Sequence, residues 1–238
     1  DFDHVGGLVG MTVGAGTNVI DRVCSSLSVV GVDNVGGLVG MTDHDTTITR
    51  SCTTGTVTGD YDVGGLVGEV DDYTEIDRSY TTGTVTGADN AGGLVGYGDF
   101  ENIITDSYSL SNLISADICG GIVSNSYETN AYRTYYGGLL DCGDPDGLIG
   151  YDDDIEEVTD SFWDLRGGLN PSTTNADELG ATKPRSTAQM KDITTYTTDF
   201  ELITPWDFST VWAIDAGLNN GYPYLRQVIT ETVEVEVE

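Results

Sequence analysis

Five residues, GGLVG, recur along this chain at Gly6–Gly10, Gly36–Gly40, Gly64–Gly68 and Gly92–Gly96. Looser copies stand at Gly120 (GGIVS), Gly137 (GGLLD) and Asp146 (DGLIG). The first glycines, at 6, 36, 64, 92 and 120, are 30, 28, 28 and 28 residues apart. A second block keeps the same beat: IDRVC from Ile20, ITRSC from Ile48, IDRSY from Ile76 and ITDSY from Ile104. A fixed period in this range is the mark of a repeat architecture and outranks other cues to the fold.

One unit reads VGGLVG, an acidic connection, I-x-R-S-Y/C, TTGTVTG and a short acidic turn. Each apolar block is short and bounded by Gly, Asp or Asn, as strands are, and no stretch keeps a helical apolar period. A unit this small has no core of its own. Units must stack, with neighbouring strands about 4.8 Å apart. The expected fold is all-β, a parallel β-solenoid of 28-residue repeats. Stacking turns recurring residues into ladders: Leu8, Leu38, Leu66, Leu94 and Ile122 in one; Ile20, Ile48, Ile76 and Ile104 in another. Cys24, Cys52, Tyr80 and Tyr108 make a third, continued by Phe162. Six or so units give a rod on the order of 30 Å long. The step from Gly120 to Gly137 is only 17, which leaves the coil geometry there open. Within GGLVG the adjacent Leu and Val point to opposite faces of a strand. Either both faces are covered, by a cap or a neighbouring chain, or a bulge at the glycine pair turns both inward.

The pattern GGLVG followed by I-x-x-S-Y-x-T-G-x-V-x-G resembles the GLUG repeat of bacterial and archaeal surface proteins. The resemblance spans the first two thirds of the chain and is best from Val35 to Gly96. It implies an extracellular or cell-surface protein, because such repeats occur in adhesin-like proteins and beside IgA-specific metallopeptidase domains. It implies no activity.

Three regions follow. Residues 1–165 carry the repeats. Residues 166–226 lose the period and gain Pro171, Pro184, Pro205, Pro223, Trp206 and Trp212. There STAQMKD, WDF-x-x-VWAI and GLNNGYPYL resemble the segment that closes GLUG arrays, with a short helix expected over Thr187–Asp192. A solenoid needs such a cap so that its last rung is not an open edge. Residues 227–238 end in TVEVEVE, with Val233, Val235 and Val237 on one face and glutamates on the other, a strand's period. A lone strand is not stable in water. Burying the three valines contributes about 5–9 kcal/mol as an upper bound. The first GGLVG lacks the TGTVTG strand that precedes the later copies, which leaves the first coil unfilled. Pairing of one subunit's tail with the next subunit's first coil would give a head-to-tail homopolymer. The alternative is pairing within the same chain.

With 9 basic against 40 acidic residues, the net charge is −31. Such a surface repels nucleic acid and anionic lipid. No run approaches ~18 apolar residues, so no membrane span is expected. Three readings of the acid excess compete: halophilic salt adaptation, where the Debye length falls to about 3 Å; cation binding; or an ordinary acidic secreted surface. The chain begins at Asp1 without Met, as a processed or trimmed form would.

Calcium is the expected metal. Asp3, Asp33, Asp89 and Asp117 share the slot three residues before the glycine pair, and Asp60 and Asp62 flank it. Carboxylates stacked at about 5 Å repel by roughly 3 kcal/mol at an effective dielectric near 20, so hard cations or salt must relieve the column. A denser cluster holds Asp141, Asp144, Asp146, Asp152, Asp153 and Asp154. Ca²⁺ takes its oxygens from turns of this kind, although the spacing matches neither the EF-hand nor the nonapeptide calcium repeat.

Cys24 and Cys52 share one slot in adjacent units, within disulfide reach if a unit is one coil. Cys119 and Cys142 can pair around the irregular turn. No C-x-x-C is present, which argues against zinc or redox chemistry. Arg22, Arg50 and Arg78 form a column with Asp106 and Asp160, either an anion groove or a structural ladder. Catalysis has little support. The histidines are His4 and His44, and H-E-x-x-H and G-x-S-x-G are both missing. The expected function is a non-enzymatic extracellular structural protein that assembles into a filament or tube. The alternatives are a monomeric adhesion module that binds glycan or another cell, and a polysaccharide-active enzyme.

Overall fold

The computed structural model describes residues 3–14, 16–152, 157–166, 168–170 and 183–226. Among these, four parallel sheets of nine, six, six and seven strands wrap a common core, and each coil visits all four. The second sheet stacks Val9–Met11, Val39–Thr42, Val67–Val70, Val95–Gly98, Val123–Ser126 and Ile149–Asp152, one strand from each of six coils. The third runs from Asn18–Asp21 to Val158–Thr159, and the fourth from Cys24–Ser25 to Lys183–Arg185. The first sheet has two runs, one containing Asp33–Gly36 and one containing Thr56–Gly59, joined through Asn112–Gly120.

Register follows the repeat. Ile20, Ile48, Ile76 and Ile104 lie on one another, with Ala131 and Val158 above. Over the first four coils this isoleucine column meets its own kind, and side chains of equal size leave few voids. Leu38, Leu66 and Leu94 are fully buried. Each such leucine contributes about 1.5–3 kcal/mol.

At the GGLVG corner both Leu and Val face the core. The amides of Leu38 and Val39 share one acceptor, the Leu66 carbonyl, at 2.9 and 3.1 Å. The chain turns between them, so the inward bulge holds and the covered outer face does not. A β-carbon on Gly36 would overlap the Val39 carbonyl, and one on Gly37 the Gly65 carbonyl. Close approach, rather than an unusual φ, demands the glycine pair.

The step to Gly137 also resolves. Leu140 pairs with Leu113, and Ile149 pairs with Val123. DGLIG is thus the sixth corner, with Asp146 opposite Gly120. GGLLD lies at a different corner, between the fourth and first sheets. Similar letters there fill another slot.

The coil ends differ. In one inward column of the fourth sheet, Ser25, Thr53, Thr81 and Ser109 give way to Tyr136 and then Trp163. Both aromatics are fully buried, and Trp163 lies against Gly147. The last coil is therefore plugged from inside. The first coil is open among the described residues: Leu8 is 45% exposed where Leu38, Leu66 and Leu94 are fully buried.

The cap does more than cover an end. Lys183–Arg185 pairs with Phe162–Asp164, extending the fourth sheet. The rest lies along that sheet's flank. Tyr80, Tyr108 and Tyr135 stack outward at 5.0 and 4.9 Å between ring centres. Trp206, Trp212, Tyr196 and Tyr222 pack onto Tyr108, Tyr135 and Phe162. Trp206 donates to the Asp160 carbonyl at 2.9 Å and Trp212 to the Asp106 carboxylate at 3.1 Å. The expected helix covers Thr187–Met190, with Ser186 and Gln189 forming a capping box, and a second follows at Thr194–Thr197.

Leu66→Ala is expected to cost about 2–5 kcal/mol in denaturant unfolding. Leu8→Ala, in the same ladder but at the open end, is expected to cost less than about 1 kcal/mol.

Candidate functional site

The acidic column occupies the outer corner before each glycine pair. Asp3 pairs in register with Asp33. His4, Asn34 and Asp62 adopt positive φ there, a conformation that short polar side chains tolerate. Asp3, His4, Asp33, Asn34, Tyr61 and Asp62 line an open groove of about 380 Å³. Asn34 donates from Nδ2 to the Glu69 carboxylate and lies 3.1 Å from His4 Nδ1. Asn90 Nδ2 donates to Asp62 at 3.2 Å.

Burial pushes the Asp62 carboxyl up, and the charges of Asp33 and Asp89 add to this. Burial, reinforced by Asp62 and Asp71, pushes Glu69 up to about 7. Attention to the Asp column alone misses His4, Asn34 and Asn90, which form with the flanking Asp62 a second polar column, one residue on. Their recurrence at the repeat spacing was the available signal.

Among the described residues no group of three or more His, Cys, Asp or Glu side chains is placed to hold a metal ion. Asp33, Asp62 and Asp89 interact along the corner, while Asp60 and Asp89 are exposed to solvent. Asp141 and Asp144 are exposed, whereas Asp146 is buried and accepts from the Leu148 amide at 3.1 Å. Its role there is that of a corner residue. Only the backbone of Asp152 is described; Asp153 and Asp154 lie outside the described residues, as do Val233, Val235 and Val237.

Both expected disulfides are present. Cys24 and Cys52 bridge the first two coils with Cα atoms 4.4 Å apart. Cys119 and Cys142 bridge the fifth and sixth at 6.1 Å.

The arginine column is a structural ladder. Arg22, Arg50, Arg78, Asp106, Arg133 and Asp160 all take positive φ at the turn between the third and fourth sheets. Arg22 and Arg50 both pair with Asp21, at 3.0 and 2.6 Å. Arg78 pairs with Asp77, and Arg133 with Asp106. The serine that follows carries a relay. Ser51, Ser79 and Ser107 accept from the amides of Val23, Ser51 and Ser79 in the coil before, at 3.2, 3.1 and 3.0 Å. Each hydroxyl donates to the carbonyl two residues earlier in its own coil.

These features define a class, the parallel β-solenoid whose coil is one 28-residue repeat, with polar outer corners and bridged rungs. Within that class the chain carries the GLUG motif: residues 59–86, one full turn of the coil, match its family model. A solved structure of similar fold, from Bacteroides ovatus, is described as a "putative immunoglobulin A1 protease". The match covers 94% of this chain at 17% identity with a TM-score of 0.55. At that identity the likeness is one of fold alone. The chain spans 64% of that protein's length. No curated protein matches the sequence.

Two outcomes follow. Ionised Glu69 is disfavoured in the folded protein, so between 4.5 and about 7 the folded state keeps a proton that the unfolded chain has released. Stability falls as pH rises through that window. Glu69→Gln is expected to raise the melting temperature above the window and leave it unchanged below it. Replacing Cys24 and Cys52 together by Ser is expected to cost about 3–4 kcal/mol in unfolding titrations, the loop-closure value for a loop of this size.

Proposed function

We propose that this protein is an extracellular structural subunit that self-associates end to end. The observation that carries this reading is the contrast between its two ends. One is plugged by Tyr136 and Trp163. The other presents the first strand of every sheet, Asp3–Gly6, Val9–Met11, Asn18–Asp21, Cys24–Ser25 and Val29–Val30, with one edge unpaired among the described residues. Free edges of this length invite a partner strand.

Among the described residues the outer edge of Val29–Val30 carries no partner strand, whereas Thr56–Gly59 and Thr84–Gly87 are each paired on both sides. The tail segment TVEVEVE has the matching alternation. In this reading the tail of one subunit pairs with that edge in the next. A contact of this heterologous kind propagates into a filament.

The two disulfides and the GLUG repeat fit a protein that matures in an oxidising, extracellular setting. The −31 charge fits a salt-adapted surface, on which screening permits subunits of like charge to meet. Deletion of residues 231–238 is expected to abolish assembly by light scattering at high salt while leaving the melting temperature of the subunit unchanged. Unaltered assembly after the deletion would refute tail exchange.

A further inference from the structure

The run of the first sheet that contains Thr56–Gly59 has an outer face unlike the other sides of the rod. Its strands alternate strictly. Val29, Val57, Val85 and Leu113 are buried, so the residues on either side of each point outward. Those outward residues form two columns in register over four coils. Ser28, Thr56, Thr84 and Asn112 make one, and Val30, Thr58, Thr86 and Ile114 make the other. From coil to coil, the Thr56 hydroxyl donates to Ser28 Oγ at 2.9 Å.

Neither column holds an ionisable residue, in a chain with 40 acidic ones. The other outer faces are different. That of the second sheet carries Glu69, and that of the third carries Asp21, Glu75 and Asp77. The outward tyrosines of the fourth sheet lie under the cap. Strand propensity accounts for threonine at outward positions. It does not account for the exclusion of Asp and Glu from every place in both columns.

Geometry and chemistry limit what can lie on this face. Outward residues of one strand are about 6.7 Å apart, and successive coils about 4.8 Å. β-Branched side chains have few χ1 choices, so the hydroxyls and methyls of Thr56, Thr58, Thr84 and Thr86 form a fixed rectangular grid. An ionic mineral needs counter-charges, and the grid has none. A sugar face is held by aromatic rings, which the grid also lacks. An added peptide strand needs a sheet edge, and this is the face.

Water meets the same limits. Rows of oxygen atoms in hexagonal ice recur, in two perpendicular directions, at close to these two distances. Each threonine hydroxyl donates one hydrogen bond and accepts others, as an ice oxygen does. A water that bridges such groups is held nearly as well as by a direct hydrogen bond.

We propose that this face binds ice. The two columns hold a layer of water at the spacing of the crystal, and that layer joins the crystal surface. The grid lies on the flank, so it is present with or without end-to-end association.

The test grows an ice hemisphere slowly from a solution of the intact protein. A solute without affinity is pushed ahead of the front. This protein is expected to be enriched in the ice, and to hold the freezing point of a seeded crystal below its melting point. Thr58→Tyr/Thr86→Tyr, which breaks the grid, is expected to lose both effects with an unchanged melting temperature of the protein, because these side chains are at the surface. The single change Thr86→Lys is expected to do the same. Thr47→Tyr, on the outer face of the third sheet, is expected to keep both effects. Exclusion of the intact protein from the ice, unchanged enrichment in either grid variant, or an equal loss in the Thr47→Tyr protein would each overturn the proposal.

Discussion

Strict register is the constraint on which the molecule depends. Each coil lies on the last so that residue meets counterpart, Ile48 on Ile20 and Tyr80 on Cys52. The backbone enforces this, because parallel strands offer all their donors and acceptors to the coils on either side. Like-on-like stacking suits leucine, isoleucine and tyrosine. For charge it is unfavourable, and the outer columns are arranged accordingly. Arg22, Arg50 and Arg78 are followed by Asp106, then Arg133, then Asp160. The column of Asp3 and Asp33 is interrupted by Tyr61, and Asp62 stands between Asn34 and Asn90. Interleaving relieves these columns only in part: Asp3 still lies on Asp33, and Arg22, Arg50 and Arg78 follow one another, the first two sharing Asp21.

Corners do the second job. A four-sided coil must change direction without leaving buried amides unpaired. The GGLVG corner meets this by two amides sharing one carbonyl. The corner after the third sheet meets it by a residue of positive φ followed by a hydroxyl that both accepts and donates. The invariant letters of the repeat are therefore mostly corner letters. The faces between them require only an inward side chain of fitting size, apolar in most columns and Ser or Thr in one column of the fourth sheet.

The period, the ladders and both cysteine pairs were legible in the sequence, because stacking makes spacing equivalent to contact. Three things were not. The 17-residue step misled because GGLLD shares letters with the corner motif while lying at another corner, and only pairing distinguishes the two. The flank position of the cap was hidden because the outward column of Tyr80, Tyr108 and Tyr135 reads identically whether its rings face core, solvent or cap. At the acidic corner Asp33, Asp62 and Asp89 were readable as a set. The hydrogen bond from Asn34 to Glu69 was not, since it joins different sheets across 35 residues.

The inward column that runs Ser25, Thr53, Thr81, Ser109, Tyr136, Trp163 has one more implication. Its bore is uniform over four turns and then narrows. A segment such as 59–86 can be doubled within the uniform stretch, and the rod lengthens by a single strand spacing with every neighbour meeting a familiar surface. The same duplication beyond Gly120 would repeat a large ring, as Tyr136 and Trp163 each lie against a corner glycine, and so would extend the plug rather than the bore. Length in this architecture is thus adjustable from one side only, and the tapered top fixes where growth by duplication must stop.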